Sequence, residues 1–303
     1  MEVSVIIPAY NRREMLLRAV KSVLRQDYKD YELIVVNDGS EEDLSDVKTL
    51  VLESGNIFTS HEYNRGVAAA RNTGIKLSRG RWVAFLDSDD LWYPEKLRKQ
   101  MEYHNRNSDI LISQCEEVWF RRGVMVNKKK DHLQPEGDAF LPSLRLCCIS
   151  SSSVLMHRSV IEQCGLQDER FRVCEDYEFW LRVTSRYLIG LVRKPLVEKY
   201  GGHQGQLSAS EKALDRYRCA AIIKLIAREN LLPEQLGKAL EELKTKASIL
   251  LHGALKRRSP LKGLYKRVID AAERIALQED LHKSCKLHNL LELERELLSS
   301  VVD

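Results

Sequence analysis

Apolar runs alternate with amphipathic segments up to about residue 205, as in an α/β fold. Residues 3–9 and 31–36 are apolar almost throughout and predict two buried strands. Between them, residues 14–26 carry apolar side chains at helical spacing and predict an amphipathic helix. A third apolar run over residues 82–86 predicts another strand. Shorter signals predict two more strands and two short helices, over residues 110–118, 151–156, 159–164 and 176–186.

The first three predicted strands all end in polar loops. These loops are Pro8-Ala9-Tyr10-Asn11, Asn37-Asp38-Gly39-Ser40 and Asp87-Ser88-Asp89-Asp90. In an open α/β sheet ligands bind where the carboxyl ends of the strands meet, so we expect the three loops to line one crevice. Neither a Gly-x-Gly-x-x-Gly after the first strand nor a Gly-x-x-x-x-Gly-Lys loop is present. Their absence argues against a dinucleotide-binding fold and a P-loop.

The third loop carries three carboxylates, Asp87, Asp89 and Asp90. Carboxylates this close repel one another at neutral pH unless one is protonated or a divalent metal lies between them. Such oxygen ligands select Mg²⁺ or Mn²⁺ over zinc. A plainer interpretation is an acidic turn capping a helix that starts near Pro94. On these residues alone both interpretations stay open.

Strand signals stop after Leu207. Four helical runs follow, near residues 210–229, 233–251, 261–278 and 284–301. We therefore predict two domains, an α/β domain over 1–207 and a helical domain over 208–303. The apolar stripes of these helices must pack against the core, one another or a second subunit. We expect this domain to bind the acceptor or a partner, and a homo-oligomer formed through it stays open.

Composition narrows the class of protein. The net charge of +4 is small for 303 residues and does not suggest a nucleic-acid binder. The first strand begins at residue 3, which leaves no room for a signal peptide, and no apolar stretch approaches the roughly 20 residues of a membrane span. The seven cysteines include no Cys-x-x-Cys pair, so we expect reduced thiols and a cytoplasmic location. The basic run at 256–258 leaves peripheral contact with the inner face of the membrane open, although its spacing equally suits a solvated helix.

Five segments, in this order, resemble the nucleotide-sugar glycosyltransferases of the GT-A fold, in particular the large inverting family two. The segments are VIIPAYN (5–11), VVNDGS (35–40), NRGVAAARN (64–72), FLDSDD (85–90) and CEDYEFWLR (174–182). The match extends to HQGQLS (203–208), so it covers about residues 3–208. The resemblance implies a Rossmann-like GT-A core with a mostly parallel central sheet, to which the helical domain is appended.

The resemblance also assigns metal-binding residues. Asp89 is implied as the direct ligand of Mn²⁺ or Mg²⁺, and Asp87 as a contact of the ribose or of a metal-bound water. Ser88 is the middle residue of this Asp-x-Asp element and is placed with it at the nucleotide. His203 is a further candidate metal ligand or diphosphate contact, with an ordinary loop histidine as the alternative. The role of Asp90 stays open, as either a metal ligand or a structural cap.

Other residues are implied to bind the nucleotide. Asp38 matches the aspartate that accepts the imide N–H of uracil, although an Asp before Gly39 is also a common turn residue. Pro8, Ala9 and Tyr10 would offer backbone contacts and an aromatic wall for the base, unless Tyr10 packs in the core. Arg71 would brace the aspartates or contact the nucleotide, with a surface salt bridge as the alternative.

A second chemical centre is expected at Glu175 and Asp176. An acceptor hydroxyl needs a base to take its proton during attack, and a carboxylate at the start of a helix is well placed to do so. We assign this role to Asp176, with Glu175 beside it, although two acids at a helix start also stabilise the helix dipole. Direct displacement with a single base inverts the anomeric carbon.

Together these residues predict a metal-dependent inverting glycosyltransferase that uses a nucleotide sugar, in particular a UDP-sugar. A glycan or a lipid-linked acceptor in cell-surface polysaccharide assembly is the family-level expectation. One alternative is a sugar-phosphate nucleotidyltransferase, although the Gly-rich basic loop typical of that class is replaced by Pro8-Ala9-Tyr10-Asn11. The other alternative is a non-catalytic module that binds a nucleotide sugar. It is disfavoured because Asp38, Asp89 and Asp176 are all present.

Overall fold

The computed structural model describes residues 1–128, 133–203, 213–277 and 284–300. The chain divides into two compact units. The first unit comprises Met1–Ala139, Cys148–Arg172 and Tyr187–Gln206, and the second comprises Phe140–Cys147, Val173–Arg186 and Leu207–Asp303. The predicted domain boundary between residues 207 and 208 lies outside the described residues.

The first unit contains a mixed sheet. Within the described residues it has nine strands, in the order β3-β2-β1-β4-β8-β6-β9-β5 with β7 paired to β6. In chain order the strands are β1 (Val3–Ala9), β2 (Tyr31–Asn37), β3 (Ile57–Ser60), β4 (Trp82–Phe85), β5 (Leu91–Trp92), β6 (Ile112–Arg121), β7 (Val124–Val126), β8 (Leu155–His157) and β9 (Gly190–Gly201). The strands predicted over residues 3–9, 31–36 and 82–86 are thus confirmed.

The strands β3, β2, β1 and β4 lie side by side in this order and are parallel to one another, whereas β8 pairs antiparallel with β4 on its other side. All seven residues of β1 are buried, as expected of a parallel strand that is covered on both faces. Ala9 is paired with Asn37, and Ile6 with Phe85, so these strands end at the same edge of the sheet. The expectation that their loops meet at one edge is therefore confirmed.

Helices connect these strands. In the first unit they are α1 (Arg13–Leu24), α2 (Ser45–Glu53), α3 (Val67–Leu77), α4 (Lys96–Arg106) and α6 (Arg158–Cys164). Helix α1 confirms the predicted amphipathic helix and buries Leu16, Ala19, Val20 and Val23. With helices between parallel strands, the α/β fold class is confirmed.

The strand predicted over residues 151–156 is wrong in its first half. Ser151–Ser153 form a 3₁₀ turn, and only Leu155–His157 form a strand. The hydroxyl and amide of Ser153 both donate to the carbonyl of Ser150, at 2.9 and 3.0 Å. Serine side chains that bond to nearby backbone compete with a strand ladder in this way.

The second unit is helical. Its helices are α5 (Phe140–Arg145), α7 (Glu175–Thr184), α8 (Asp215–Arg228), α9 (Pro233–Arg257), α10 (Lys262–Ala276) and α11 (Ser284–Ser299). The last four confirm the predicted helical runs, apart from the ends at 210–212, 278 and 301, which lie outside the described residues. Among the described helices, none is both long and apolar enough to cross a membrane.

A buried ion cluster joins α7 to α8. The Glu178 carboxylate accepts from Arg182 Nε and from Lys224 Nζ, each at 2.7 Å. All three side chains are buried, and buried charges are tolerated only when they are paired in this way. The cluster fixes the helix that begins with Glu175 and Asp176.

Candidate active site

The loops after β1 and β2 are bonded to each other. The Asp38 amide donates to the carbonyl of Ala9 at 2.8 Å. The Asn11 amide donates to Ser40 Oγ at 3.0 Å, and Asn11 Oδ1 accepts from the Glu41 amide at 2.8 Å. Asn11 has φ +48°, in the left-handed region that asparagine tolerates better than most residues. The two loops therefore form one continuous rim at the edge of the sheet.

The turn after β4 brings three carboxylates together. Asp87, Asp89 and Asp90 each offer an oxygen, and these oxygens all lie within 4.8 Å of one another. The Asp90 amide donates to the Asp87 carbonyl at 3.0 Å, which closes the turn. Their side chains are 27%, 13% and 2% exposed, in that order. This donor set suits a hard divalent cation.

Arg71 braces Asp87. The buried guanidinium donates from Nη2 to Asp87 Oδ1 at 2.7 Å, and from Nη1 to Gln167 Oε1 at 3.4 Å. Burial alone would raise the pKa of Asp87, but Arg71 and Lys199 outweigh it and hold that pKa below its ordinary value. Of the roles predicted for Arg71, the structure provides the bracing contact with an aspartate, and the surface salt bridge is wrong because Arg71 is 4% exposed.

Asp89 is held by two side chains from distant parts of the chain. Its Oδ2 accepts from Arg12 Nη1 at 2.7 Å and lies 2.8 Å from His203 Nε2. His203 follows the end of β9 and is 15% exposed, so it points inward at the predicted ligand. The sequence did not predict the contact of Arg12, which lies directly before α1.

Asp90 is more enclosed than its neighbours. Its oxygens accept from Ser152 Oγ at 2.6 Å and from the Tyr200 amide at 3.0 Å, and Lys199 Nζ lies 3.5 Å away. Burial raises the pKa of Asp90 to about 7, with Asp89 and Asp87 adding to the rise and Lys199 opposing it. The same carboxylates raise the pKa of Lys199 above its ordinary value although burial lowers it. These contacts favour a structural role for Asp90.

Asp38 organises the start of α3. Its Oδ1 accepts from the Arg65 amide at 3.0 Å, and its Oδ2 accepts from the Gly66 amide at 2.8 Å. His61 Nδ1 lies 2.6 Å from Oδ1, and its other ring nitrogen lies 2.9 Å from Thr73 Oγ1. Asp38 thus has the loop-stabilising role that was the alternative from the sequence. Its contact with uracil stays a prediction.

The remaining nucleotide candidates lie along the same edge. Pro8 and Ala9 are buried at the end of β1, and Ser88 is buried within the acidic turn. Tyr10 is 40% exposed, so the alternative that its ring packs in the core is wrong. An exposed ring beside the joined loops is compatible with a wall for a base.

Glu175 and Asp176 form the first turn of α7 in the second unit. Glu175 is 5% exposed, whereas Asp176 is half-buried. Asp176 Oδ1 accepts from the Tyr177 amide at 2.6 Å, and Oδ2 accepts from the Cys147 thiol at 3.3 Å. Of the two acids, Asp176 is the more accessible to a substrate.

The family model described as Glycosyl transferase family 2 matches residues 4–165, more than half of the chain. The Escherichia coli UDP-Glc:alpha-D-GlcNAc-diphosphoundecaprenol beta-1,3-glucosyltransferase WfaP is 29% identical over 209 residues, which cover 69% of this chain and 80% of that protein. The putative teichuronic acid biosynthesis glycosyltransferase TuaG of Bacillus subtilis is 32% identical over 187 residues, which cover 61% of this chain and 72% of TuaG. An uncharacterized glycosyltransferase of Rickettsia conorii is 33% identical over 64% of this chain, and the match spans only 32% of that longer protein.

Solved structures agree on the fold. The Staphylococcus aureus TarS fragment 1–349 in complex with UDP superposes with a TM-score of 0.71 at 18% identity, covering 98% of this chain and 91% of TarS 1–349. The Pyrobaculum calidifontis mannosyltransferase PcManGT, in complex with GDP-Man and Mn²⁺, gives a TM-score of 0.57 at 16% identity and covers 98% and 87% of the two chains. The fold and its acidic turn therefore define a protein of the GT-A class. With the sequence match, the chain belongs to glycosyl transferase family 2, and the resemblance noted from its motifs is confirmed.

Proposed function

We propose that the protein is a metal-dependent, inverting glycosyltransferase that takes a sugar from a UDP-sugar and transfers it to an acceptor hydroxyl. The observation that carries this proposal is the gathering of Asp87, Asp89 and Asp90 within 4.8 Å at the end of β4, in a chain of glycosyl transferase family 2. Carboxylates at this edge of an α/β sheet lie where such folds bind their ligands.

The side chains present fit Mn²⁺ or Mg²⁺. Asp89 and Asp87 would supply carboxylate oxygens, and His203 would supply an imidazole nitrogen from its position 2.8 Å from Asp89. Asp90 is less suited to this role because Ser152 and the Tyr200 amide already occupy its oxygens. When bound, the cation would supply positive charge for the diphosphate leaving group.

The protein's own groups would hold the donor. Arg71 keeps Asp87 ionised and fixes its orientation through the 2.7 Å contact. The base would be bound along the joined loops by Pro8, Ala9, Tyr10 and Asp38. Ser88, within the acidic turn, would also contact the nucleotide. The nucleotide contacts would then lie at and just after the ends of strands, which favours a fixed donor geometry.

We assign the base to Asp176, on the family resemblance and on its own surroundings. It is the more exposed acid of the first turn of α7, and its two contacts orient the carboxylate. The acceptor proton would pass to Asp176 as the hydroxyl oxygen attacks, and a single displacement would invert the anomeric carbon. Glu175 is the second candidate, disfavoured by its burial.

The names of the relatives support the proposed donor and the proposed kind of acceptor. The name of WfaP specifies UDP-Glc and an acceptor on diphosphoundecaprenol, and that of TuaG specifies teichuronic acid biosynthesis. TarS was crystallised with UDP and with UDP-GlcNAc. These names support a UDP-sugar donor and a glycan or lipid-linked acceptor in cell-surface polysaccharide assembly. The acceptor-binding role of the helical domain and the cytoplasmic location stay predictions.

The test is to incubate the protein with a panel of UDP-sugars and GDP-mannose, with Mn²⁺, with Mg²⁺ and with EDTA. We expect UDP to be released with either metal, and NMR of the transfer product to show an inverted anomeric centre. In a parallel incubation with a sugar phosphate and UTP, release of pyrophosphate would instead identify a nucleotidyltransferase. Binding of UDP-sugar without turnover across an acceptor panel would identify a binding module.

A further inference from the structure

Helix α1 presents a basic face to a cavity in the first unit. Arg18, Lys21 and Arg25, the residue directly after the helix, are exposed and follow one another at intervals of three and four residues, so they lie on one side of α1 and its C-terminal end. All three line a cavity of about 310 Å³. This volume lies at the lower end of those of small-molecule sites and suits a single charged headgroup.

Two of these cations are not neutralised. Within the described ranges, neither Lys21 nor Arg25 has a carboxylate within salt-bridge distance, whereas Arg18 lies over the ring of Tyr200, 4.9 Å from its centre. Glu198 also lines the cavity, but its carboxylate accepts from the Tyr200 hydroxyl at 2.7 Å. With three cations and one carboxylate, the cavity has a positive field.

The cavity also has an apolar wall that is fixed in place. It is formed by residues 91–94 at and after β5. The Trp92 amide donates to Ser22 Oγ at 3.2 Å, and its indole donates to the Ser152 carbonyl at 2.8 Å. Gln26 Nε2 donates to the Tyr93 carbonyl at 2.7 Å. A ligand would therefore meet a wall that needs no rearrangement, which lowers the cost of binding.

The edge of this wall reaches the surface. Pro94 is exposed, and Leu91 and Tyr93 are half-buried beside the basic face. A small free anion would leave this apolar edge in water, whereas a lipid would cover it with its glycerol and first acyl carbons. Tyrosine and basic side chains in this combination are typical of the membrane interface.

We propose that the cavity between α1 and β5 binds the phosphate of anionic lipid headgroups, so that this face of the first unit docks on a bilayer. The basic side chains attract the phosphate, and the apolar edge enters the interfacial layer. The residues that line this cavity include neither the three carboxylates of the acidic turn nor the basic run at 256–258. It does not depend on the proposed transfer reaction.

The test is cosedimentation with vesicles of phosphatidylcholine alone and of phosphatidylcholine with phosphatidylglycerol. We expect the wild type to bind only the anionic vesicles and to be released at high salt. The double variant Lys21→Gln/Arg25→Gln should bind them roughly 10- to 30-fold more weakly, because each basic residue at an anionic surface is worth about fivefold. Lys21→Arg/Arg25→Lys should retain binding.

The matched control is Lys48→Gln/Lys76→Gln, which removes the same charge from two other exposed lysines of the first unit. Circular dichroism would verify that both double variants are folded. Equal losses of vesicle binding in the two double variants would show that only net charge matters and would overturn the proposal. Failure of the wild type to bind anionic vesicles would overturn it as well. Glycerol phosphate is the soluble probe, and calorimetry measures its affinity. If the protein binds glycerol phosphate as tightly as it binds the headgroups of anionic vesicles, the cavity is a site for free phosphate instead.

Discussion

Nη2 of Arg71 lies 2.7 Å from Oδ1 of Asp87 and joins the middle of α3 to the acidic turn after β4. The guanidinium is 4% exposed and also reaches Gln167, so it is fixed from two sides. Asp87 keeps 27% of its side chain in contact with solvent. A buried cation therefore holds a partly open carboxylate, which is the arrangement a ligand site needs.

Arg71→Met removes the charge while it keeps the length of the side chain. We expect it to lower the free energy of unfolding by about 1–3 kcal/mol, since a buried partner is lost but Asp87 can take up water. Urea denaturation measures this loss. The control is Arg81→Met, whose side chain is 69% exposed and pairs with Glu2, and which should cost less than about 1 kcal/mol. Equal costs for the two variants would contradict the bracing role.

Asp89→Ala tests the metal ligand. We expect it to abolish transfer and to weaken UDP binding chiefly when Mn²⁺ or Mg²⁺ is present, because the cation would couple the nucleotide to this carboxylate. Calorimetry with UDP, with and without metal, measures the effect, and Asp109→Ala at an exposed position is the control. Equal UDP affinity of wild type and Asp89→Ala at saturating metal would remove Asp89 from the metal site.

Asp176→Asn separates the base from donor binding. The amide keeps an oxygen that can accept from the Tyr177 backbone but is no longer basic. Transfer should fall about 100- to 10,000-fold, as is typical of general-base loss, while UDP–metal affinity stays nearly unchanged. Single-turnover rates measure this, with Glu175→Gln in parallel. Near-normal turnover of Asp176→Asn together with a loss in Glu175→Gln would move the base to Glu175.

His104, which is not part of the acidic turn, makes the free energy of unfolding depend on pH. Burial lowers the pKa of His104 to about 4 from an ordinary value of 6.5, and its ring nitrogens lie 2.9 Å from the Ile110 carbonyl and from Ser113 Oγ. The unfolded chain binds a proton at His104 at a higher pH than the folded chain does. The neutral imidazole therefore contributes stability above about pH 6.5, and this contribution is lost as the pH falls towards 4.

The expected loss from this residue is about 2–3 kcal/mol between those pH values. His104→Gln should therefore lose that much less stability than the wild type when urea denaturation at pH 7 is compared with pH 4. His252→Gln, at an exposed position of α9, should leave the difference unchanged. The same pH slope in His104→Gln and wild type would assign acid sensitivity to other groups.

The sequence could predict the acidic turn but not the residues that hold it. Asp87, Asp89 and Asp90 are adjacent in the chain, so one strand end brings them together. Lys199 and Asp90 are 109 positions apart. The approach of Lys199 depends on the pairing of β9 with β6, whose register shifts twice between Cys115 and Glu117. Such bulges change which residue faces a site and have no dependable sequence signal.

Asp38 shows a different limit. Its place at the end of β2 followed from the apolar run before it, and the structure confirms that place. Its contacts with His61 and with the amides of Arg65 and Gly66 could not be predicted, since they require the loop before α3 to fold back onto β2. Local patterns thus predict where strands and helices end, whereas the packing of loops decides which polar groups meet.

Arg12 and His203 provide the last prediction, because both contact the same oxygen of Asp89. A guanidinium on this oxygen competes with a metal ion for it. Arg12→Met should therefore increase the affinity for Mn²⁺ in the absence of nucleotide, by roughly fivefold for a partly exposed ion pair. His203→Ala should lower it, by roughly tenfold, if the imidazole is a metal ligand.

Electron paramagnetic resonance of free Mn²⁺ measures both affinities, and Lys76→Met at an exposed position of α3 is the charge control. The opposite signs distinguish a competitor from a ligand on one carboxylate oxygen. Tighter Mn²⁺ binding in both variants would mean that His203, like Arg12, only pairs with Asp89. The metal would then be held by carboxylates alone, and His203 would lose its place in the proposed site.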